Sequence, residues 1–543
     1  MAKGTNRITA DMIKEYTQSG QWRNQTLVDR FRMVLGKTPD KTAVVDRDHR
    51  LSFRDVEKLS NNLATSFQRL GISQGEVVSF QLPNWYQSVI VYMALTKIGA
   101  VIDPVIPIYR EREVGFILKQ AQSKAMIIPD AFRGFNYLDM IEKMRPDLPS
   151  LKHVIVLGEQ VKRGMIALES LMKGDGSPPP LPRVDPNQVK LLIYTSGTTA
   201  QPKGVQHTHN TMTCFVLNTA QFWGFTEEGI IFMPSPVTHV TGCYLALEMP
   251  FVLGCTVVLL DIWDPEKALG LMEKEHCTLT VAATPFLQHM LDSPLLKKHK
   301  VSPFTFVCGG AYIPPELIKR AWKEAGWRAF RVYGSSEAPL VTPGIPHDGT
   351  LEKAAETDGL VHDYEIKIAA FNNRPLPFGE VGEIAVKGPK AFVGYRDPSL
   401  NEDSFDDEGW FYTGDLGRLS PDGYLQITGR KKDIIIRGGE NISAKEIEDL
   451  LYLHPSVETV AAVAMPDVKL GEKICAYIKL RKGTTLTFQE LINFLGEHRL
   501  AKQKLPERLE IIDQFPLTPS GKIKKHELRK DIAEKLGLPP TRI

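Results

Sequence analysis

The run Tyr194-Thr-Ser-Gly-Thr-Thr-Ala-Gln-Pro-Lys-Gly-Val205 sets the strongest limit on what this chain can fold into. It follows the apolar run Lys190-Leu-Leu-Ile-Tyr194 directly. A buried strand therefore empties into a loop that gathers Thr195, Ser196, Thr198 and Thr199 around Gly197, then adds Lys203. Such a loop can hold a polyphosphate, because backbone N–H groups and hydroxyls donate to phosphate oxygens and glycine permits close approach. It is not the common phosphate loop. In the pattern G-x-x-x-x-G-K-[ST], counted from Gly197, Pro202 stands at the second glycine and Gly204 at the magnesium-binding hydroxyl. Pro202 also lacks an N–H to donate. No G-x-G-x-x-G follows a strand-like run either, which argues against a dinucleotide fold.

At 543 residues the chain is too long for one compact core, so at least two domains are expected. Net charge is +2 with acidic and basic residues mixed throughout, which gives no nucleic-acid footprint. The six cysteines form no C-x-x-C and no metal-ligand spacing, and most sit in apolar runs, as in a reducing cytoplasmic protein. The start Met-Ala-Lys-Gly-Thr-Asn-Arg has no secretory apolar core, and the final Thr-Arg-Ile is not a peroxisomal address. The longest apolar stretches, near 89–109 and 240–260, are broken by Lys97 and Glu248 and contain proline, so they read as core elements rather than membrane spans.

Apolar β-branched runs alternate with helical patterns. Glu76–Leu82 precedes Tyr86–Lys97, and Cys255–Leu260 precedes Pro265–Glu275, the alternation expected of parallel, layered α/β sheets. A Pro-rich linker at 174–187 leads into the Lys190 strand. Near residue 433 the pattern changes to a compact α+β module. Short strands are expected at Ile434, Thr459–Val463 and Cys475–Leu480, with helices at Lys445–Leu453 and Thr487–His498. The expected division is 1–430 and 431–543, with the boundary in Gly429-Arg-Lys-Lys-Asp433.

Four further clusters carry chemistry. In Val332-Tyr-Gly-Ser-Ser-Glu-Ala338, Glu337 follows a tight turn at the end of an apolar run, where a carboxylate can hold Mg²⁺ on ATP phosphates. In Tyr412-Thr-Gly-Asp415, backed by Gly429-Arg430, a carboxylate can accept both ribose hydroxyls and arginine can reinforce the same sugar or a phosphate. The paired glycines of Arg437-Gly-Gly-Glu-Asn441 let backbone swing close to a ligand. Last, Pro516-Leu-Thr-Pro-Ser-Gly-Lys522-Ile presents a lysine on a Pro/Gly-framed loop, a compact point charge on a flexible stem.

In this order and company the motifs resemble those of the adenylate-forming superfamily, which includes acyl-CoA synthetases, adenylation domains of peptide synthetases and luciferases. With Pro39–Val45 and Leu51–Arg54 resembling the family's start, the likeness covers nearly the whole chain. One departure is Ala200, where the family has glycine after the two threonines. The resemblance implies a large N-terminal AMP-binding domain of layered α/β sheets and a small mobile C-terminal α+β domain. It implies ATP, Mg²⁺ and coenzyme A as cofactors and substrates. Thr195, Ser196, Gly197, Thr198, Thr199, Lys203, Gly309, Gly310, Ala311, Tyr333, Gly334, Ser335, Ser336, Asp415, Arg430 and Lys522 would contact ATP. Thr195 and Glu337 would flank the metal, and Lys522 would be the catalytic lysine and a target for acetylation and deacetylation. Lys432 falls at the hinge, and Gly438, Gly439 and Glu440 would border the pantetheine tunnel.

His239 occupies the position of the family's gating aromatic, with Val240, Cys243 and Gly310 beside it in the acyl pocket. Amino-acid-activating members place an aspartate there to pair the substrate ammonium. Met233–Gly242 has no acidic residue, so an amino acid would lack a partner. No carrier domain follows residue 543, which also argues against a peptide-synthetase module. Pro-x-Pro-x-x-His239-x-x-Gly, Leu260-Asp-Ile-Trp263 and Ala283-Thr-Pro-Phe286 are most similar to bacterial short- and medium-chain acyl-CoA synthetases and cyclohexanecarboxylate–CoA ligases. The expected activity is acid–coenzyme A ligation through an acyl-adenylate, by a monomer or homodimer. Two alternatives stay open: an acyl-AMP ligase that passes its product to a carrier protein or to oxidation, and a non-catalytic nucleotide- or acyl-binding relative.

Overall fold

The computed structural model describes residues 7–195, 201–301, 303–310, 313–370, 373–518 and 522–540. Two seven-stranded sheets build most of the chain. The first orders its strands Arg328–Arg331, Thr305–Cys308, Leu279–Ala282, Ile230–Met233, Thr256–Leu259, Thr42–Asp46 and His49–Ser52. The second runs Lys203–Thr208, Val189–Thr195, Val101–Pro104, Val77–Phe80, Ala125–Pro129, His153–Leu157 and Ile166–Ala167. Parallel pairing fills both sheets, but each has one antiparallel edge: His49–Ser52 on Thr42–Asp46, and Lys203–Thr208 on Val189–Thr195.

Strand Val189–Thr195 shows why these sheets are layered. Its side chains alternate faces, so Leu191 and Ile193 enter the main core while Leu192 and Tyr194 enter a second core. The main core lies between the two sheets around helices Tyr86–Lys97 and His209–Trp223. From Ser88 to Lys97 the first of these helices is buried on every side, as expected for a helix with apolar residues all round. Among the described residues, no helix is long and apolar enough to cross a membrane. The two charges that interrupt the long apolar runs are buried and partnered. Lys97 Nζ donates to Glu57 (2.7 Å) and Asn61 (2.6 Å). Glu248 pairs with Lys190 and accepts from the Tyr92 hydroxyl (2.5 Å). A buried ion pair of this kind is costly to break from one side, because the remaining charge is left without a partner.

The alternation of runs and helices did not foretell the third sheet. Glu365–Ala369, Gly382–Lys387, Phe411–Leu419 and Leu425–Arg430 form an all-antiparallel sheet. A 3₁₀ turn, Lys431–Asp433, joins it to a fourth sheet made of Glu440–Ser443, Ile434–Arg437, Gly471–Leu480, Val457–Asp467 and Arg508–Ile511. Helices Ala444–Leu451 and Phe488–Glu497 contribute to this last sheet's own core. The fold is thus a large portion of layered α/β sheets followed by a small α+β domain. All six cysteines are free and buried.

Gly242 is fixed by close backbone approach, not by its dihedral. A Cβ there would lie 2.2 Å from Pro236 O and 2.4 Å from Val237 Cα. We expect Gly242→Ala to cost about 1–3 kcal/mol of stability through overpacking, read as a lowered unfolding midpoint. Gly36→Ala, on an exposed helix face with open space around the new methyl, should raise the midpoint instead.

Candidate functional site

The third sheet's register makes the first part of the site. Asp415 and Arg430 are opposed residues on neighbouring antiparallel strands, and the Arg430 Nε forms an ion pair with Asp415 Oδ1 at 2.9 Å. The Tyr333 hydroxyl donates to the other oxygen, Oδ2, at 2.8 Å. Tyr333 leads the turn Gly334-Ser335-Ser336. There a Cβ on Gly334 would meet Leu340 N at 2.4 Å, and the Ser335 N–H and hydroxyl oxygen both bond Ala338.

The second part is drawn together by a segment that no motif marked. Residues 393–396 pair with the strand that leaves the loop: Gln206 N–H donates to Gly394 O, Val393 N–H to Gln206 O and Arg396 N–H to Gly204 O. This pairing brings Tyr395 beneath Lys203, whose Nζ stands 5.1 Å from the ring centre. The Tyr395 hydroxyl donates to Glu337 Oε1 at 2.8 Å. Thr195 ends its strand directly opposite Lys203, and Tyr395 links that lysine to Glu337. Ser196, Gly197, Thr198, Thr199 and Ala200 of that loop, and Ala311, lie outside the described residues. Gly309 and Gly310 follow the strand Thr305–Cys308. A Cβ on Gly309 would meet Val332 Cγ2 at 2.7 Å, whereas Gly310 has φ +85° and open space.

Lys522 arrives from the other end of the chain. Its loop is closed by Thr518 N–H to Lys522 O (2.7 Å) and Lys522 N–H to the Thr518 hydroxyl (3.0 Å). Burial, with the Arg430 guanidinium close behind, holds the Lys522 ammonium's pKa down at about 8, while Asp415 and Glu337 oppose that fall. The same ammonium acts on His239, which burial and Lys522 together depress to about 4. His239 is therefore a neutral imidazole. It caps the short helix Val240–Gly242 by accepting from Thr241 N–H. Val240 is half-buried and Cys243 fully buried, its thiol donating to Val237 O. Lys432, in the 3₁₀ turn, has a buried Nζ with no hydrogen-bond partner among the described residues, and burial plus Arg430 lowers its pKa to about 8.

Gly438, Gly439 and Glu440 lie where strand Ile434–Arg437 turns into Glu440–Ser443. They form an exposed turn whose Gly438 N–H donates to Leu470 O within the fourth sheet. Among the described residues, no trio of His, Cys, Asp or Glu converges as a metal cage. Two residues escaped the sequence reading. Tyr395 has no polar signature to mark it. His207 is fully buried and joins the site through Ser336, and a single histidine inside a strand gives no signal of its own.

A large layered α/β portion, a small α+β domain, and a lysine from that domain held over a carboxylate–arginine–tyrosine cluster define an adenylate-forming ligase. The chain belongs to the AMP-binding enzyme family. The family's pattern matches residues 31–396, and that of its C-terminal domain matches residues 446–522. The chain is 36% identical to a medium-chain fatty-acid–CoA ligase of Escherichia coli, over 96% of this chain and 93% of that protein. It is 31% identical to a 2,3-dihydroxybenzoate-AMP ligase of Bacillus subtilis, over 99% of both chains. The structure of ATP-bound MatB from Rhodopseudomonas palustris superposes with a TM-score of 0.84 at 26% identity, covering 93% of this chain and 99% of that one.

Proposed function

We propose that this protein is an ATP-dependent acid–coenzyme A ligase acting on a short- or medium-chain fatty or alicyclic acid. In the first half-reaction a carboxylate oxygen attacks the α-phosphorus of ATP, and the bond to pyrophosphate breaks to leave an acyl-adenylate. In the second, the coenzyme A sulfur attacks the acyl carbonyl, the bond to AMP breaks, and a thioester forms. The observation that carries this reading is the convergence of Lys522 on Asp415, Arg430, Glu337 and His239 from the far end of the chain.

In this reading Asp415 accepts the ribose hydroxyls and Tyr333 lines the adenine side. Thr195, Lys203 and the loop between them hold the phosphates, and Arg430 reinforces sugar or phosphate. Glu337 and Thr195 would hold Mg²⁺, which when bound supplies charge neutralisation on the phosphate oxygens. Lys522 places positive charge where the carboxylate and α-phosphate approach. Neutral His239 separates the carboxylate path from the pocket that Val240, Cys243 and Gly310 border. The small domain, residues 431–543, then turns about Lys432, withdrawing Lys522 and presenting Gly438–Glu440 to the pantetheine arm.

The E. coli relative supports a fatty acid and coenzyme A. The B. subtilis relative supports a second reading, an aryl acid carried only as far as its adenylate. One assay separates them: acid-dependent pyrophosphate release, with and without coenzyme A, across C2 to C12 acids, benzoate and cyclohexanecarboxylate. Turnover that requires coenzyme A and favours aliphatic acids is the expected result. Pyrophosphate release indifferent to coenzyme A overturns the acceptor assignment. No acid-dependent release at all overturns the enzyme reading.

A further inference from the structure

We propose that His207 is a positioning residue that ties one wall of the acyl site to the loop carrying Glu337. The inference rests on the acyl-pocket reading above and adds a residue that the sequence motifs do not include. His207 lies on the strand leaving the phosphate loop, four residues beyond Lys203, and is fully buried. One of its ring nitrogens, Nε2, is 2.7 Å from the Ser336 carbonyl oxygen. A carbonyl can only accept, so Nε2 carries the proton and Nδ1 presents a lone pair. Burial keeps the ring neutral, with its pKa near 4. The Thr211 hydroxyl lies 3.3 Å from Nδ1 but also donates to Thr208 O. That leaves the Tyr244 hydroxyl, 3.3 Å away, as the donor to Nδ1.

Tyr244 directly follows Cys243, which the proposed acyl pocket includes, and stands four residues after Val240. It sits in the π-helical turn Cys243–Glu248, a rare conformation. Its ring rests on Phe215 with centres 4.0 Å apart, which leaves the hydroxyl to face His207. At the other end of the chain of bonds, Ser336 immediately precedes Glu337. The order is thus acyl wall, Tyr244 hydroxyl, His207 ring, Ser336 carbonyl, Glu337. A fully bonded buried network of this kind moves as a unit.

The consequence is kinetic. An acid that presses on Tyr244 also displaces Ser336 and the carboxylate beside it. Acid length is then sensed in the rate of adenylate formation as well as in binding.

The test compares His207→Leu, which removes both hydrogen bonds, with His207→Gln, whose amide N–H can still reach the Ser336 carbonyl. Acid-dependent pyrophosphate release is measured across C4 to C10 acids. We expect His207→Leu to lower kcat by about tenfold while the acid KM moves by less than about threefold, the pattern of a misplaced reacting group. His207→Gln should recover most of that loss. Affinity for a non-hydrolysable ATP analogue, measured by calorimetry, should fall for His207→Leu and return with His207→Gln. If His207→Leu does not fold, Tyr244→Phe carries the test, since it keeps the ring on Phe215 and removes only the donor. Its kcat should vary at least about threefold less across the acid series than that of the wild type. Equal losses in the two His207 variants, or an unchanged Tyr244→Phe profile, overturn the proposal. A wild-type protein with no acid-dependent pyrophosphate release would instead remove the reading on which it rests.

Discussion

Replacing Lys522 by alanine is expected to cut acid-dependent pyrophosphate formation by on the order of 10²–10³. Thioester formation from supplied acyl-adenylate and coenzyme A should stay within about threefold of wild type. The asymmetry follows from where the lysine sits. Its ammonium is buried within electrostatic reach of Arg430, Asp415 and Glu337, while the Gly438–Gly439 turn is exposed. A point charge there matters while negative charge builds on the α-phosphate, and has no role once the adenylate exists. The protonation state gives a second readout. Burial and Arg430 depress Lys522 to about 8, and the charged form is the useful one. In the free enzyme, kcat/KM for adenylation should therefore fall as pH rises through about 8. In Lys522→Arg the falling limb should move to higher pH, because a guanidinium stays charged. Equal loss of both half-reactions in Lys522→Ala, or a falling limb that Lys522→Arg leaves in place, would sink the assignment.

What could be read ahead of the structure depended on the kind of residue involved. Glu337, Asp415 and Lys522 could be singled out ahead of the structure because each is a charged residue near glycine or proline in sequence, where local chemistry argues for exposure to a ligand. The large layered sheets were legible from runs such as Val77–Phe80 followed by Tyr86–Lys97, because each strand feeds the next helix in sequence. The antiparallel third sheet was not, since its half-buried strands lack a strong period and pair by long-range register. The same limit hid Tyr395 and His207. Tyr395 reaches Glu337 only because residues 393–396 pair with a strand almost two hundred positions earlier. His207 gains meaning only from a carbonyl at Ser336 and a hydroxyl at Tyr244. Glu248 inverts the lesson. Its charge argued against a membrane span, yet it is wholly buried, one carboxylate oxygen paired with a lysine 58 residues away.

Gly439→Leu should spare adenylation and stop the second half-reaction. Gly438 and Gly439 take φ +59° and +91°, in the left-handed region, so a leucine at 439 is strained on the order of 1–2 kcal/mol. A Cβ there has no atom within 4 Å. The small domain keeps its own core, built on Ile435, Ile447, Ala462 and Ile478, so it should remain folded. Pyrophosphate release should stay within about twofold of wild type, while thioester formation from acyl-adenylate falls by on the order of 10² as bulk enters the pantetheine path. Gly483 supplies the matched control. It too is exposed, has φ +80° and has no atom within 4 Å of an added Cβ. Gly483→Leu therefore carries the same backbone strain in the same domain without touching that path, and both half-reactions should be kept. If the two leucine variants lose thioester formation equally, the cause is strain in the small domain. If Gly439→Leu keeps it, the turn at 438–440 does not border the path taken by coenzyme A.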